Sequence, residues 1–309
     1  MLPVRRVHTK MIGFLGFIIG VCLGSFTKVI ADRSLTNRNF WGRSYCESCK
    51  HKLAWYDLFP ILSYLIFRGK CSHCHKKFSP EYLLIEVLTG LIFAGIFAKI
   101  IPLNFLELNL VSQGVVFLSL LSYGVIGIVL IATFLTDFKT GYIPDRITHP
   151  GIWSLFILLI TTSVYKTTLL YLSLKSSDLG KYLLPPYSNY FYIHGLEQFE
   201  PLIYGCLMAL ILGLFFYFLI VITRGKGMGG GDLKLGVFLG LAFGFPYSLV
   251  VLMLSFLLGS VAGVGLILAG RKKFGQTLPF GPFLSLAGLI VIFWGGDILN
   301  WYLNLNLSY

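Results

Sequence analysis

The sequence predicts an all-α polytopic membrane protein with about eight transmembrane helices and a small insertion between the first two. Three observations support this prediction: the composition, the length of the apolar runs and the placement of basic residues. Of the 309 residues, 56% are hydrophobic and 12% are charged, and the mean hydropathy is +0.79. Soluble domains contain about 25% charged residues, so this composition is typical of a membrane protein.

Apolar runs define the individual spans, because about 20 apolar residues are enough to cross the hydrocarbon core of a bilayer. The sixth predicted span is the shortest, is rich in glycine and ends at Pro246. The predicted spans are roughly 11–31, 82–102, 112–136, 147–173, 201–223, 233–246, 247–269 and 281–303.

Lysine and arginine concentrate in alternate connections between the spans. They are Arg33, Arg38, Arg43, Lys50, Lys52, Arg68, Lys70, Lys76, Lys77, Lys139, Arg146, Arg224, Lys226, Arg271, Lys272 and Lys273. Because basic loops stay in the cytoplasm, this pattern predicts a cytoplasmic loop at 32–81 and both termini outside. Arg5, Arg6 and Lys10 precede the first span, and taken alone they favour the opposite orientation or a signal peptide.

The spans and loops divide the chain into three regions: 1–31 with the first span, an insertion at 32–81, and the remaining spans at 82–309. The net charge of +12 is explained by basic loops held against an anionic leaflet. We therefore expect membrane lipid as a partner and no nucleic acid. Within the insertion, the apolar segment 53–67 is too short to span a bilayer, and we expect it to form a small core or to lie at the membrane interface.

Four cysteines of the insertion form two pairs, "CESC" at 46–49 and "CSHC" at 71–74. Two such knuckles supply four thiolates to tetrahedral structural zinc, and the intervening segment 50–70 is one residue longer than is usual for zinc ribbons. A small insertion with little apolar mass would gain folding energy from the metal. We predict a zinc-ribbon-like site at Cys46, Cys49, Cys71 and Cys74.

Other interpretations of these cysteines are two disulfides or unrelated thiols. Disulfides require an oxidising compartment, which conflicts with the basic character of the loop. His51, His73 and His75 could each replace a ligand, although four cysteines already fill the shell. Cys22 and Cys206 lie within predicted spans and are expected to be ordinary small apolar residues.

Two aspartates lie where predicted spans meet the cytoplasmic side. Asp137 follows the third span in "TDFKTGYIPD", and Asp232 opens the sixth in "GMGGGDLKL". An ionisable residue at a membrane boundary is a candidate functional residue, because burying it is costly. If the two carboxylates converge, they share one proton, so that one is a general base toward water and the other a general acid toward a carbonyl. The glycines at 227–231 would let an extended peptide approach closely.

Simpler interpretations of these residues stay open at this point. An aspartate at a helix start can be only an N-cap, worth about 1 kcal/mol, and a glycine run can be only a turn. Asp145, one residue after a proline, has the features of such a cap. Each candidate aspartate also begins an Asp-x-Lys sequence, and we expect Lys139 and Lys234 to point away from the pair, toward lipid headgroups.

Two other classes of protein are compatible with parts of this pattern. A proton or cation transporter also buries aspartates, but its charges commonly lie near the bilayer midplane between repeated halves. Here both aspartates lie at one face, and no inverted repeat is found in the sequence. The second class is a non-catalytic scaffold stabilised by zinc.

Taken together, the motifs resemble those of the prepilin peptidases, which are membrane aspartic proteases of the GxGD type. The resemblance implies that Asp137 and Asp232 are the catalytic pair. It also implies that the substrates are type IV prepilin or pseudopilin precursors, cut after a glycine on the cytoplasmic side of a bacterial inner membrane. The matching motifs are "GSF" at 24–26, the two cysteine knuckles, "IEVLTG" at 85–90, "D…IPD" at 137–145, "GMGGGDLKL" at 227–235 and "PFGPFLSLAG" at 279–288.

Family members with the cysteine-bearing loop typically also methylate the new N-terminus. The resemblance therefore implies S-adenosylmethionine as the methyl donor. The chain departs from the family in "GSFTKVIADRSL" at 24–35, where Lys28 and Asp32 replace the usual residues. Because no glycine-rich nucleotide loop follows a strand, the sequence assigns no residues to the methyl donor.

Overall fold

The computed structural model describes residues 2–307 except 37, 38, 41, 47, 226, 272 and 274–277. Arg38, Lys226 and Lys272 therefore lie outside the described residues, as do the side chains of Arg5 and Arg6. Within the described residues the regular structure is helical, and β-structure is limited to two isolated bridges in the insertion. The prediction of an all-α fold is confirmed.

The helices are numbered in chain order. In the described part of the chain, seven of them are long and apolar enough to cross a membrane: α1, α3, α4, α5, α7, α8 and α9. Their bounds are α1 (Leu2–Leu35), α2 (Leu62–Ile66), α3 (Glu81–Ile100), α4 (Leu110–Thr140), α5 (Asp145–Ser176), α6 (Tyr190–Glu197), α7 (Glu200–Ile222), α8 (Gly230–Leu268) and α9 (Gly281–Leu307).

Helix α8 accounts for the difference between the predicted count and the observed one. It contains both the sixth and the seventh predicted spans, 233–246 and 247–269. Its backbone is broken at Gly244 (φ 57°, ψ −168°) and Phe245 (φ −85°, ψ 140°). Glycine tolerates a positive φ, and a residue before proline is pushed out of the helical region, so the sequence Gly-Phe-Pro interrupts the helix here.

The chain reverses its direction at this break. Gly244 and Phe245 both lie beside Tyr204 near the start of α7, and the Phe245 and Tyr204 ring centroids are 6.5 Å apart. Farther from the break, Gly236 packs against Phe216, while the Phe256 ring lies 6.4 Å from the ring of the adjacent Phe215. The two arms of α8 therefore run antiparallel along α7. This reversal keeps the connections after α7 and after α8 at the same end of the molecule, as the pattern of basic loops requires.

Helices α1 and α3 pack closely because small residues line their contact. A Cβ atom at Gly20 would lie 2.8 Å from the Thr89 carbonyl oxygen, and one at Gly24 would lie 2.9 Å from Thr89 Cβ. Small residues one helical turn apart let two helix backbones approach in a membrane. This approach brings Lys28, one turn farther along α1, to 5.0 Å from the centre of the Tyr82 ring.

The apolar segment 53–67 of the insertion does not close into a core of its own. Its short helix α2 has no buried residue. Leu62, Leu65 and Ile66 are 56%, 61% and 65% exposed. This exposure favours the interfacial alternative, because an apolar helix face beside a membrane protein's transmembrane region can be covered by lipid.

We predict that Gly244→Ala lowers the thermal stability of the protein. The backbone at this position lies in a region open almost only to glycine, so an alanine would cost about 1–3 kcal/mol. The matched control is Gly296→Ala in α9, where an added Cβ meets no atom within 4 Å. Thermal unfolding in detergent measures both variants. Equal midpoints for Gly244→Ala and the wild type would contradict a rigid break at this position.

Candidate functional site

Asp137 lies in the last turn of α4 and is 4% exposed. The helix ends at Gly141, which adopts a left-handed conformation (φ 65°) and donates its N–H to the Asp137 carbonyl oxygen at 2.8 Å. The C-terminal turn of a helix disfavours a negative charge, so helix capping does not explain a carboxylate at this position. Asp137 Oδ2 is buried and has no hydrogen-bond partner among the described residues.

Helix α9 holds the Asp137 side chain in place. The register of α4 and α9 is set one turn away by the buried hydroxyls of Thr133 and Ser285, whose oxygens are 2.9 Å apart. One turn toward the helix ends, Gly281 faces the carboxylate, and a Cβ there would lie 2.5 Å from Asp137 Oδ2. A glycine is required because any side chain at 281 would collide with this oxygen.

Asp232 lies in the first turn of α8 and is 8% exposed. Its Oδ2 accepts the backbone N–H of Gly229 at 3.2 Å. The capping interpretation is therefore partly correct, since an anion near a helix N-terminus is favourable. Capping occupies one oxygen of the carboxylate and leaves the other for a second role.

Ile143 joins the two aspartate positions, because it packs against the backbone beside each of them. A Cβ at Gly231 would lie 2.9 Å from Ile143 Cβ, and one at Gly281 would lie 2.8 Å from Ile143 Cδ1. Gly231 immediately precedes Asp232, and Gly281 faces Asp137 Oδ2, so one side chain contacts the backbone beside each carboxylate. The structure thus brings together the two aspartates selected from the sequence, at one end of the helix bundle.

The lysines that follow these aspartates point away from them, as expected, but they pair with other carboxylates. Lys234 Nζ pairs with Asp145 Oδ1, so Asp145 anchors the start of α8 to the start of α5. Lys139 Nζ lies 2.5 Å from Glu81 Oε1 and 4.0 Å from Asp32 Oδ1. These ion pairs fix the ends of the helices that carry the aspartates.

Lys28 completes a cluster of alternating charges at the ends of α1, α3 and α4. It is 3% exposed, and its Nζ lies 2.6 Å from Asp32 Oδ1 and 3.4 Å from Glu81 Oε1. Together with Lys139, these residues form a four-charge cluster of two lysines and two carboxylates. Such a cluster offsets part of the cost of burying Lys28.

The four cysteines of the insertion converge on one point. Their sulfur atoms all lie within 4.8 Å of one another, and the Cys46 and Cys74 sulfurs are 3.8 Å apart. Four sulfurs placed about 2.3 Å from one tetrahedral zinc ion lie about 3.8 Å from one another. A disulfide requires about 2.05 Å, so the geometry fits a shared metal and does not fit two disulfides.

The two knuckles have the same backbone fold. Cys46 accepts the N–H of Lys50 at 2.9 Å, and Cys71 accepts the N–H of His75 at 3.0 Å, each through its carbonyl oxygen. Lys50 and His75 both have a φ of 57°. The backbone N–H of Cys49 lowers the pKa of the Cys46 thiol to about 6. The backbone N–H of His51 lowers the pKa of the Cys49 thiol, but burial and the neighbouring sulfurs outweigh it and raise that pKa to about 11.

Sequence reasoning missed several residues that position these sites. Ile143 and Gly281 have no ionisable or metal-binding group that would single them out, although Gly281 lies in the motif "PFGPFLSLAG" at 279–288. The four-charge cluster could have been found from Lys28 and Asp32, which are spaced one helical turn apart in an otherwise apolar span. Glu81 and Lys139 meet them only through the packing of three helices.

A helical membrane protein in which two buried aspartates converge at one end of the bundle fits the class of membrane aspartic proteases. Residues 167–264 match the family described as "Type IV leader peptidase family", and residues 18–100 match "Bacterial Peptidase A24 N-terminal domain". Asp232 and the four cysteines lie within these matches, while Asp137 lies between them.

Curated relatives agree with these matches. A prepilin leader peptidase/N-methyltransferase of Aeromonas hydrophila is 28% identical over 84% of this chain and 74% of its own length. The Pseudomonas putida protein of that name is 27% identical over 92% of this chain and 91% of its own. No solved structure matches the chain significantly. The chain is thus similar to the prepilin peptidases over two separate regions and, in these relatives, over most of its length.

We predict that Lys28→Met destabilises the protein by about 1–3 kcal/mol. The change leaves Asp32 and Glu81 with one lysine between them, and their exposure of about a third tempers the loss through solvent screening. Lys181→Met is the matched control, because Lys181 pairs with a fully exposed Asp178 at 3.4 Å and its loss should cost less than about 0.5 kcal/mol. Thermal unfolding compares the two, and an unshifted midpoint for Lys28→Met would argue against the cluster.

Proposed function

We propose that this protein is a membrane aspartic endopeptidase that removes the leader peptide of type IV prepilin or pseudopilin precursors. The observation that carries the proposal is the convergence of two buried aspartates, Asp137 and Asp232, at one end of the bundle. The curated relatives are named for cutting prepilin leaders, which supports the same activity for this chain. A transporter is not favoured, because both carboxylates lie at helix ends rather than midway along the helices.

In the proposed mechanism, the pair of carboxylates holds one proton. The ionised carboxylate accepts a proton from a water molecule, and that water attacks the scissile carbonyl carbon. The protonated carboxylate donates its proton toward the carbonyl oxygen as the tetrahedral intermediate forms. As the intermediate collapses, the C–N bond breaks, the leaving amine takes the proton first removed from water, and a hydroxyl of the intermediate returns a proton to the other carboxylate. The unpartnered Asp137 Oδ2 and the uncapped oxygen of Asp232 are the atoms available for this chemistry.

The position of the pair suits a substrate with an apolar N-terminal helix. Such a helix lies in the bilayer and presents the end of its leader at the membrane boundary, where Asp137 and Asp232 lie. The glycines before Asp232 leave room for an extended peptide. We propose that the cut follows a glycine and occurs at the cytoplasmic face of a bacterial inner membrane, because the basic connections share this end of the bundle.

We further propose that the protein then methylates the new N-terminus, using S-adenosylmethionine as the methyl donor. The names of the relatives include this second activity. The domain matched over 18–100 contains the insertion. Asp137 and Asp232 lie outside this domain, so it is free for a second activity. A donor of this kind supplies an electrophilic methyl group when bound.

The insertion is proposed to hold a structural zinc ion through Cys46, Cys49, Cys71 and Cys74. Two observations support this: the spacing of the sulfurs and the matching backbone of the two knuckles. The exposed apolar residues of α2 show that the insertion has little core of its own. A metal would therefore supply much of its folding energy.

We predict that Asp137→Asn and Asp232→Asn each lower the cleavage rate by about 10²-fold or more, because an amide can act neither as general base nor as general acid. The assay follows cleavage of a type IV prepilin-like precursor by the purified protein. Asp178→Asn is the matched control, since its side chain is fully exposed in a distant loop, and it should cut at the wild-type rate. Full-rate cleavage by either substituted aspartate would exclude the proposed dyad.

For the metal, we predict about one zinc ion per purified chain. Cys46→Ser combined with Cys71→Ser should lose the zinc and make segment 32–81 sensitive to limited proteolysis. Cys22→Ser combined with Cys206→Ser is the matched control, because both cysteines lie in helices α1 and α7 away from the cluster. Wild-type protein whose insertion resists proteolysis without metal would refute a structural role for zinc.

A further inference from the structure

A cavity lies beneath the insertion, apart from the aspartate pair. It is a cavity of about 530 Å³ bounded by the end of α1, the start of α3 and the insertion itself. Pockets that bind small organic molecules have volumes of about 300–1,000 Å³. In the part of the chain that the structure describes, neither Asp137 nor Asp232 lines this cavity, so peptide cleavage does not account for it.

Glu86 places a buried carboxyl group at the cavity. Its side chain lines the cavity and is 7% exposed, and Oε2 accepts the backbone N–H of Ile61 at 2.7 Å. Among the described residues, no lysine, arginine or histidine forms an ion pair with Glu86. A buried carboxylate without a cation is costly, so a positively charged ligand group would supply the missing partner.

The remaining lining suits a ligand with both a flat ring and a polar tail. Tyr64, Phe78 and Tyr82 provide aromatic surface on which a heterocyclic base can stack. Lys76 and Arg43, from the insertion, bring positive charge that suits a ligand carboxylate. The lining thus includes a buried carboxyl group, aromatic rings and basic side chains, which together suit a ligand that has a cationic, an aromatic and an anionic part.

The cavity lies at the same end of the bundle as the aspartate pair. Asp32 lines the cavity and belongs to the four-charge cluster. Lys139, in the same cluster, is two residues beyond Asp137 on α4. A peptide cut at the aspartate pair would therefore release its new amine near this cavity, on one side of the membrane.

We propose that this cavity is the binding site for S-adenosylmethionine, with Glu86 facing the positive charge of its sulfonium group. This inference rests on the proposed function, because it gives the methyl donor a place. In the transfer, the neutral amine of the cut product forms a bond to the methyl carbon. The carbon–sulfur bond breaks with its electron pair kept by sulfur, and the amine loses a proton to water.

The site is tested by photo-crosslinking wild-type protein in lipid nanodiscs with radiolabelled S-adenosylmethionine and mapping the labelled peptides. We expect label within 40–86, the segment that supplies most of the lining. Label confined to 137–145 or 227–235 would overturn the proposal. Absence of label from protein that cuts precursor normally would also overturn it, and would remove methyl transfer from the proposed function without affecting the peptidase.

The role of Glu86 is tested by comparing Glu86→Gln with Glu107→Gln, an exposed glutamate between α3 and α4. Calorimetry measures the affinity for S-adenosylmethionine and for S-adenosylhomocysteine, which lacks the sulfonium charge. We expect Glu86→Gln to weaken binding of the charged donor about tenfold, which corresponds to about 1.4 kcal/mol. Binding of the uncharged product should weaken less. Glu107→Gln should change neither.

Equal loss of both affinities in Glu86→Gln would overturn the charge pairing, because a purely structural defect weakens both ligands alike. Unchanged affinities would overturn it as well. The crosslink map uses wild-type protein, so it decides the location of the site even if Glu86→Gln folds poorly. If a peptide with the mature substrate N-terminus prevents labelling of the cavity and S-adenosylhomocysteine does not, the cavity would instead be the site of the cut product.

Discussion

Asp137 and Asp232 are both buried, and they come from helices that end and begin at the same junction of the bundle. Burying two carboxylates side by side is unfavourable, so the surrounding structure has to hold them there. Ile143 packs against the backbone beside both aspartates. Gly281 has no side chain that would collide with Asp137, and the Gly229 N–H donates to one oxygen of Asp232. The reversal at Gly244 in turn lets α8 begin at this junction and return to it.

Ion pairs join the ends of α1, α3 and α4 beside this junction. Lys139 follows Asp137 and meets Glu81 and Asp32, while buried Lys28 lies against the same two carboxylates. The aspartate pair, the cavity beneath the insertion and the cysteine cluster therefore form one continuous face. A reaction that cuts a peptide and then modifies its new end benefits from such proximity, because the intermediate product need not leave the protein.

Much of this arrangement was predictable from the sequence, and what was not has a physical cause. Apolar run length and basic loops predicted the membrane fold, and the Cys-x2-Cys spacing and the boundary aspartates predicted both clusters. The break in α8 was predicted as the boundary between the sixth and seventh spans, because Pro246 follows Gly244 and Phe245 there. Lys28 and Asp32 indicate a charged site in an apolar span, but the contacts of Glu81 and Lys139 with them, and the place of Glu86 in the cavity, could not be predicted. Those contacts depend on how α1, α3 and α4 pack, and such packing leaves no periodic signal in one chain.

Proximity of positions 137 and 232 in the membrane-embedded protein is the central claim, and short-range crosslinking measures it directly. Asp137→Cys and Asp232→Cys are combined with Cys206→Ala, and a protease site is placed in the connection between α5 and α6. A short crosslinker with two thiol-reactive groups is then added. The two chain halves should then stay joined on a denaturing gel after cleavage, and should separate when Asp137→Cys is omitted. Halves that separate although both thiols have reacted would contradict the account.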